Sequence, residues 1–176
     1  MGLPSVPPRG LAVRAYALAL LFAAGAAFAQ NDLPAAAPLF AAALADLDDK
    51  PAAVAAYKGR PLVVNFWARW CAPCREEFPE LIRARARNKA RGAEVLGIAI
   101  EDKTDAVREF AKAYEIDYPV LLAKDNGITL MQALGNARAG LPFTLALDRD
   151  GRVVYTKLGG MKRADVEAAF AAALKR

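Results

Sequence analysis

Residues 65–79 read NFWARWCAPCREEFP, and they join a predicted strand to a predicted helix. The strand is Leu62–Trp67, a short run of branched and aromatic residues that is typical of a buried central strand. After it, Cys74 and the apolar residues that follow recur with helical spacing to about Lys89. Pro73 lies in the first helical turn, where a missing N–H costs nothing. The segment therefore predicts that Cys71 lies where a strand ends and a helix begins.

The chain on either side alternates between strand and helix patterns. Leu39–Val54 is compatible with two short strands that turn at Asp48–Lys50, or with a helix. Interleaved strands and helices that end in a hairpin and a helix predict an α/β fold, with a central mixed sheet flanked by helices. The other predicted elements are strands Ala93–Ile100 and Pro119–Leu122, helices from Thr104 (as cap) to Tyr114 and Asn126–Leu134, a hairpin of Phe143–Leu147 with Arg152–Lys157, and a final helix Ala164–Lys175.

The composition narrows the chemistry to thiols. The 176 residues contain two cysteines and no histidine, which excludes the usual Ser-His-Asp and Cys-His catalysis and zinc sites of Cys and His. Cys71 and Cys74 are too close in sequence for their disulfide to remove much chain entropy. A net charge of +5 is mild and indicates no nucleic-acid role. The counts favour a redox-active cysteine pair.

The first 29 residues resemble a targeting signal. A head with Arg9 and Arg14 precedes the apolar run Ala15–Ala29, which ends in a small-x-small pattern. We expect a cleaved secretory signal peptide over residues 1–29; a retained membrane anchor is the alternative. Residues 30–38 are then a flexible lead-in, and residues 39–176 form the domain. Export places the protein in the periplasm, an oxidising compartment where disulfides persist.

The cysteine pair has a predicted order of reaction. At a helix N-terminus the dipole and the free amides favour the thiolate of Cys71, and Arg69 and Arg75 add positive charge. Cys71 is therefore the expected attacking thiol, and Cys74, one turn on and more buried, resolves the mixed disulfide. The other readings are an inert disulfide or half of a Cys₄ metal site, although no second cysteine pair exists.

Residues 65–79 resemble the active-site segment of the TlpA/ResA group of exported thioredoxin-like proteins. Residues 57–61 (YKGRP) resemble the lead-in to that group's first central strand. Residues 140–144 (GLPFT) and 148–151 (DRDG) resemble its proline loop and final hairpin. The resemblance covers nearly all of residues 39–176 and implies a thioredoxin-like fold with an N-terminal extension.

The resemblance also implies roles for single residues. Pro142, after Leu141, matches the cis-proline that faces the cysteines and offers backbone to a substrate strand, and Trp70 matches the aromatic residue beside the nucleophile. Glu77 matches the acidic residue near the disulfide. Because position 65 is Asn, where cytosolic thioredoxins have a buried Asp, Glu77 is the expected proton acceptor for Cys74, with a raised pKa. A solvated helix carboxylate is the alternative.

The function implied is an exported thiol:disulfide oxidoreductase, most simply a reductase of protein disulfides. Its only redox group is the Cys71–Cys74 disulfide, with no metal or other cofactor. The expected partners are disulfide-containing exported proteins and, as electron donor, a membrane thiol relay of the DsbD/CcdA type, with the protein itself a monomer. The family's substrates include apocytochromes c in cytochrome c biogenesis and copper-site assembly proteins, although residues 140–144 differ from the GAPET of the cytochrome branch. A disulfide-donating oxidase or isomerase and a non-catalytic binding module are the alternatives.

Overall fold

Seven strands form one mixed sheet in the order β2-β1-β5-β4-β3-β6-β7. The computed structural model describes residues 1–2 and 33–175, and these strands lie in the second range. The strands are β1 (Leu44–Ala45), β2 (Pro51–Ala52), β3 (Leu62–Trp67), β4 (Glu94–Ala99), β5 (Val120–Leu122), β6 (Phe143–Leu147) and β7 (Val153–Leu158).

Strand β3 forms the middle of the sheet. It runs parallel to β4 on one side and antiparallel to β6 on the other, and β5 continues the parallel part beyond β4. All six side chains of β3 are buried, as the run of branched and aromatic residues predicts. Residue 65 lies between Gly97 of β4 and Thr144 of β6, which are its Cα partners on the two sides.

Helices cover both faces of the sheet. They are α1 (Ala37–Ala41), α2 (Ala72–Asn88), α3 (Thr104–Ala113), α4 (Gly127–Ala133) and α5 (Arg163–Leu174). Because successive side chains of a strand point to opposite faces, Val63 and Trp67 pack with α2, α3 and α5, whereas Val64 and Phe66 pack with α1 and α4. The predicted mixed sheet between helical layers is therefore confirmed.

The structure resolves one open local prediction and corrects another. The segment Leu39–Val54 contains both alternatives, because α1 precedes the two short strands β1 and β2. Thr104 is not the cap of α3: Lys103 occupies that position, without a side-chain cap. The hydroxyl of Thr104 donates instead to the carboxylate of Asp49, an acceptor from the β1–β2 turn. A tertiary partner thus replaces the local one.

The structure describes only part of the N-terminal region for which predictions were made. The predicted signal peptide of residues 1–29 lies, apart from its first two residues, outside the described part of the chain. Of the predicted lead-in, residues 33–38 are described: α1 begins at Ala37, and Leu33 packs against the core on the α1 and α4 face. Among the described residues, no helix has the length and apolar character needed to span a bilayer.

Candidate active site

The two cysteines form a disulfide at the start of α2. Cys71 is the N-cap residue of that helix, and its Sγ accepts a hydrogen bond of 3.3 Å from the backbone N–H of Cys74. Cys74 is completely buried, whereas Cys71 retains 4% of its surface. The sequence placed Cys71 at the strand–helix junction with Cys74 deeper, and the structure has this arrangement. An amide aimed at Sγ also stabilises negative charge there.

Glu77 lies one helical turn after Cys74 and is fully buried. Oε2 accepts a hydrogen bond of 3.0 Å from the backbone N–H of Met161, and Oε1 accepts one of 2.6 Å from the side-chain amide of Asn65. Burial raises the pKa of Glu77 from 4.5 to about 7, although the two hydrogen bonds favour the carboxylate. The alternative of a solvated helix carboxylate is therefore wrong, because the side chain faces the core.

Asn65 has a role that was not predicted from the sequence, because there it served only as the position where cytosolic thioredoxins have an Asp. Its Nδ2 donates to Glu77 and also to Oγ1 of Thr144, at 3.0 Å, so the amide connects α2 to β6. A polar residue within an otherwise apolar strand could have indicated such a role, since buried polar groups need hydrogen-bond partners. The backbone N–H of Met161 carries no comparable signal, because its position depends on the loop before α5.

The positive charge expected around Cys71 is largely neutralised on one side. Arg69 donates from its backbone N–H to Oε1 of Glu101 at 2.5 Å, and from its guanidinium to Oε2 at 2.7 Å. This correction follows from the return of the chain after β4, which brings Glu101 beside the loop that precedes Cys71. Arg75 is half-buried in α2 and forms no ion pair with any described residue.

The segment after β7 contacts both the proline loop and the start of α2. The Leu141–Pro142 peptide bond is cis, and the carbonyl of Pro142 accepts a hydrogen bond of 2.8 Å from the N–H of Gly159. A methyl group at Gly160 would lie 3.5 Å from Cβ of Pro73. The segment after β7 therefore contacts the proline loop at Gly159, the Cys-x-x-Cys loop at Gly160, and Glu77 through the following N–H.

Apolar surface surrounds this junction. Trp70 is 70% exposed next to Cys71, and Leu158 is 54% exposed at the end of β7. Leu158 packs over Gly140, where an added methyl would lie only 3.1 Å from its Cδ1, and Leu141 is half-buried nearby in the chain. Trp70 and Leu141 were predicted site residues, whereas Leu158 was not. Leu158 is exposed because it lies at the end of β7, a strand at the edge of the sheet. We call Trp70, Pro73, Leu141 and Leu158 the apolar rim.

The arrangement can perform two-electron thiol–disulfide exchange. One sulfur lies at the helix N-terminus near the surface, the second lies behind it, and a carboxyl group with a pKa near neutrality lies one turn further on. Such a carboxyl group is able to take up and release a proton at neutral pH.

Comparison with known proteins agrees with this geometry. Residues 30–173 match the family model described as Redoxin. The thiol-disulfide oxidoreductase ResA of Bacillus cereus (strain ZK / E33L) is 30% identical over 122 residues, which are 69% of this chain and 68% of ResA.

Solved structures show the same fold. A thiol:disulfide interchange protein of Chlorobium tepidum superposes with a TM-score of 0.65 at 28% identity, over 84% of this chain and 100% of that one. A secreted thiol-disulfide isomerase from Corynebacterium glutamicum gives a TM-score of 0.64 at 26% identity, over 81% of this chain and 83% of the other. The thioredoxin-like fold expected from the sequence is confirmed.

Proposed function

The chain belongs to the Redoxin family and is a ResA-like thiol-disulfide oxidoreductase, and we propose that it acts as a reductase of protein disulfides in the exported compartment. The observation that carries this proposal is the buried carboxyl group of Glu77 one turn behind Cys74, with a pKa of about 7. A reductase has to deprotonate its second, buried thiol in order to release the substrate, and this group is suitably placed to accept that proton.

The proposed reaction has two steps. The Cys71 thiolate attacks one sulfur of the substrate disulfide, that S–S bond breaks, and a mixed disulfide with Cys71 forms while the other substrate sulfur leaves as a thiolate and is protonated by solvent. The Cys74 thiol then transfers its proton to the carboxylate of Glu77, and its sulfur attacks Sγ of Cys71. The second substrate sulfur leaves as a thiolate and takes up a proton. The substrate gains two electrons and two protons, and Cys71–Cys74 is left oxidised.

Substrate docking is assigned to the apolar rim and the proline loop. Trp70 next to Cys71 and Leu141 in the proline loop offer apolar contact, and the backbone of the Leu141–Pro142 segment offers hydrogen-bonding groups to an extended substrate. Strand addition of this kind gives affinity through the main chain, while side-chain contacts give selectivity.

The cellular setting is part of the proposal. We propose that residues 1–29 direct export, by cleavage or as an anchor, and that the protein works in the periplasm as a monomer. The disulfide is its only redox group. Reduction of the oxidised form then requires a dithiol donor, for which a membrane relay of the DsbD/CcdA type is suited. Its substrates are disulfide-containing exported proteins, with apocytochromes c and copper-site assembly proteins as candidates.

The reduction potential distinguishes a reductase from an oxidase. We expect a value near that of thioredoxin, about −270 mV, measured by equilibration with glutathione or dithiothreitol. A value near that of DsbA, about −120 mV, would instead identify a disulfide donor.

Trapping in the exported compartment tests the mechanism and identifies substrates. The Cys74→Ser variant should accumulate mixed disulfides through Cys71, which reducing agent releases. Cys71→Ser is the matched control and should trap none. Equal trapping by both variants, or full insulin-disulfide reduction by Cys71→Ser, would contradict the proposed order of attack.

A further inference from the structure

A group of buried polar atoms takes no part in the reaction proposed above. Three side-chain atoms lack a hydrogen-bond partner among the described residues: Oδ1 of Asn65, Nε1 of Trp67 and the hydroxyl of Tyr118. Asn65 and Trp67 are fully buried and Tyr118 is 4% exposed. A buried polar group without a partner loses its hydration and gains nothing in return, so three of them in one region require an explanation.

The three residues that carry these groups lie around Gly97 of β4. A methyl group at this position would lie 2.9 Å from Nε1 of Trp67 and 3.2 Å from Cε2 of Tyr118, so both side chains overlie the glycine. Gly97 is also the direct Cα partner of Asn65. Since Asn65 and Trp67 are two residues apart on β3, their side chains project from the same face of the sheet.

The orientation of the Asn65 amide directs its oxygen to this place. Nδ2 donates to Thr144 on β6, the neighbour of β3 on one side. The amide oxygen points away from the amide nitrogen, and therefore towards β4 on the other side of β3. The hydrogen bond from Nδ2 to the carboxylate form of Glu77 requires this orientation, because a carboxylate accepts and does not donate.

We propose that one internal water molecule binds between the polar groups of Trp67, Tyr118 and Asn65 beside Gly97, and that Tyr118 is thereby a positioning residue for Glu77. The hydrogen-bonding capacities match one water. The indole N–H only donates, the amide oxygen only accepts, and the tyrosine hydroxyl does either. A buried water typically makes about three such bonds.

The water connects Tyr118 to Glu77 through Asn65. A hydrogen bond donated by the water to Oδ1 holds the amide with Nδ2 directed at Glu77, and it polarises the amide so that Nδ2 becomes a better donor. Both effects favour the carboxylate form of Glu77. This inference deepens the proposed function, since it concerns the protonation of the same residue.

Other titratable groups around this network are few. Cys74 on the same helix is oxidised in the disulfide and does not titrate. Asp117 precedes Tyr118 and pairs with Arg85 at 3.3 Å. Burial raises the pKa of Tyr118, and the charges of Glu77 and Asp117 act in the same direction, so its hydroxyl stays protonated and available as a donor.

The water itself is tested in the oxidised wild-type protein, where no disulfide chemistry takes place. With ¹⁵N-labelled tryptophan, we expect magnetisation transfer from a long-lived water to the indole proton of Trp67. Trp70, the other tryptophan, is the internal control, because it is 70% exposed and meets only bulk water. A Trp67 indole proton that receives no transfer from water would overturn the site.

The coupling to Glu77 is tested by titrating its carboxyl carbon by ¹³C NMR in the oxidised protein. Tyr118→Phe should raise the pKa of Glu77 by about 0.5, because the amide loses its anchor. Tyr114→Phe is the matched control, since that ring is exposed and stacked on Phe110, and it should leave the pKa unchanged. Equal values in Tyr118→Phe and wild type would overturn the role of Tyr118. Neither measurement depends on whether the protein reduces or oxidises its substrates.

Discussion

The side-chain amide of Asn65 on β3 donates a hydrogen bond of 2.6 Å to Oε1 of Glu77 on α2. The two residues are twelve positions apart, and the Cys-x-x-Cys loop lies between them in the chain. The bond therefore ties the strand before the disulfide to the helix after it, at the depth of Cys74. It also supplies one of the two hydrogen bonds that the buried carboxylate accepts from the described residues.

Replacing Glu77 by Gln should alter the pH dependence of thiol exchange. In the wild type, the carboxylate becomes available as proton acceptor as the pH rises through about 7, the pKa of this group. The second step, release of substrate from Cys71, should therefore accelerate over that range. Glu77→Gln has no such acceptor, and we expect a rate at pH 7.5 lower by about 10²-fold, the lower end for a general base.

The measurement is stopped-flow release of a thiol from a preformed mixed disulfide with Cys71, followed from pH 5.5 to 8.5. Glu76→Gln is the control, because this neighbouring carboxylate is exposed on the same helix. Identical pH profiles for Glu77→Gln and wild type would exclude the proposed role of Glu77.

The same group makes the stability of the oxidised protein depend on pH. Its folded-state pKa of about 7 lies above the ordinary value of 4.5, so the folded protein holds this proton more tightly than the unfolded chain. The associated stability is fully present below pH 4.5 and is lost as the pH rises through 7. The difference corresponds to at most about 3 kcal/mol in the free energy of unfolding.

Urea unfolding of the oxidised protein at pH 5 and pH 8 measures this effect. We expect the wild type to lose stability between these pH values relative to Glu77→Gln, whose side-chain amide does not titrate in either state. A difference between the two proteins that does not change with pH would show that Glu77 titrates normally.

The Arg69–Glu101 pair should control the charge near Cys71. Glu101→Gln keeps an oxygen to accept the backbone N–H of Arg69 but removes the negative charge that neutralises its guanidinium. The freed cation then stabilises the nearby thiolate. We expect Cys71 of the reduced protein to react a few-fold faster with iodoacetamide at pH 6, and the reduction potential to become less negative.

Glu109→Gln is the matched control, because Glu109 is an exposed carboxylate of α3. It should leave both the alkylation rate and the potential unchanged. Slower alkylation in Glu101→Gln than in wild type would mean that the pair acts by holding the loop in place and not by its charge.

The apolar rim should matter for large substrates only. Trp70→Ala and Leu158→Ala each remove an exposed apolar side chain, at 70% and 54% exposure, without opening a cavity in the core. We expect KM for a protein disulfide such as insulin to rise about tenfold, because burial of one such side chain is worth about 1.5–3 kcal/mol when complete.

Reduction of a small disulfide such as DTNB should keep its rate in both variants, since the sulfur chemistry is unaffected. Ile128→Ala, an exposed apolar residue of α4 outside the rim, is the control and should change neither assay. A loss of DTNB reduction equal to the loss of insulin reduction would show damage to the disulfide site rather than to docking.

Much of the fold follows from local pattern. Strand β3 begins and ends at the predicted residues, because a short run rich in branched and aromatic residues favours a buried central strand. Helices α2 and α5 differ from their predicted ends by about one residue, since apolar periodicity and Pro73 mark them clearly. The cap of α3 was misassigned, because Asp49 competes for the Thr104 hydroxyl from more than fifty residues away.

The candidate active site also has some features that follow from local sequence and others that do not. The order of the two cysteines, the cis peptide at Pro142 and the raised pKa of Glu77 were expected from spacing and resemblance. The donors to Glu77 were not, because Asn65 and Met161 come from segments far apart in the sequence. Neither the pairing of Arg69 with Glu101 nor the cluster around Gly97 could be inferred from neighbours in the chain.

The sequence by itself therefore determined which groups can react: two cysteines at a helix N-terminus, no histidine, and one carboxylate spaced to face inward. These features can be read from the sequence because the periodicity of a helix or a strand depends only on residues that are close together in the chain. Only the tertiary structure decided what surrounds those groups. Burial, which raises the pKa of Glu77, and the partners that Asn65, Arg69 and Tyr118 find or lack all depend on segments that meet when the sheet assembles.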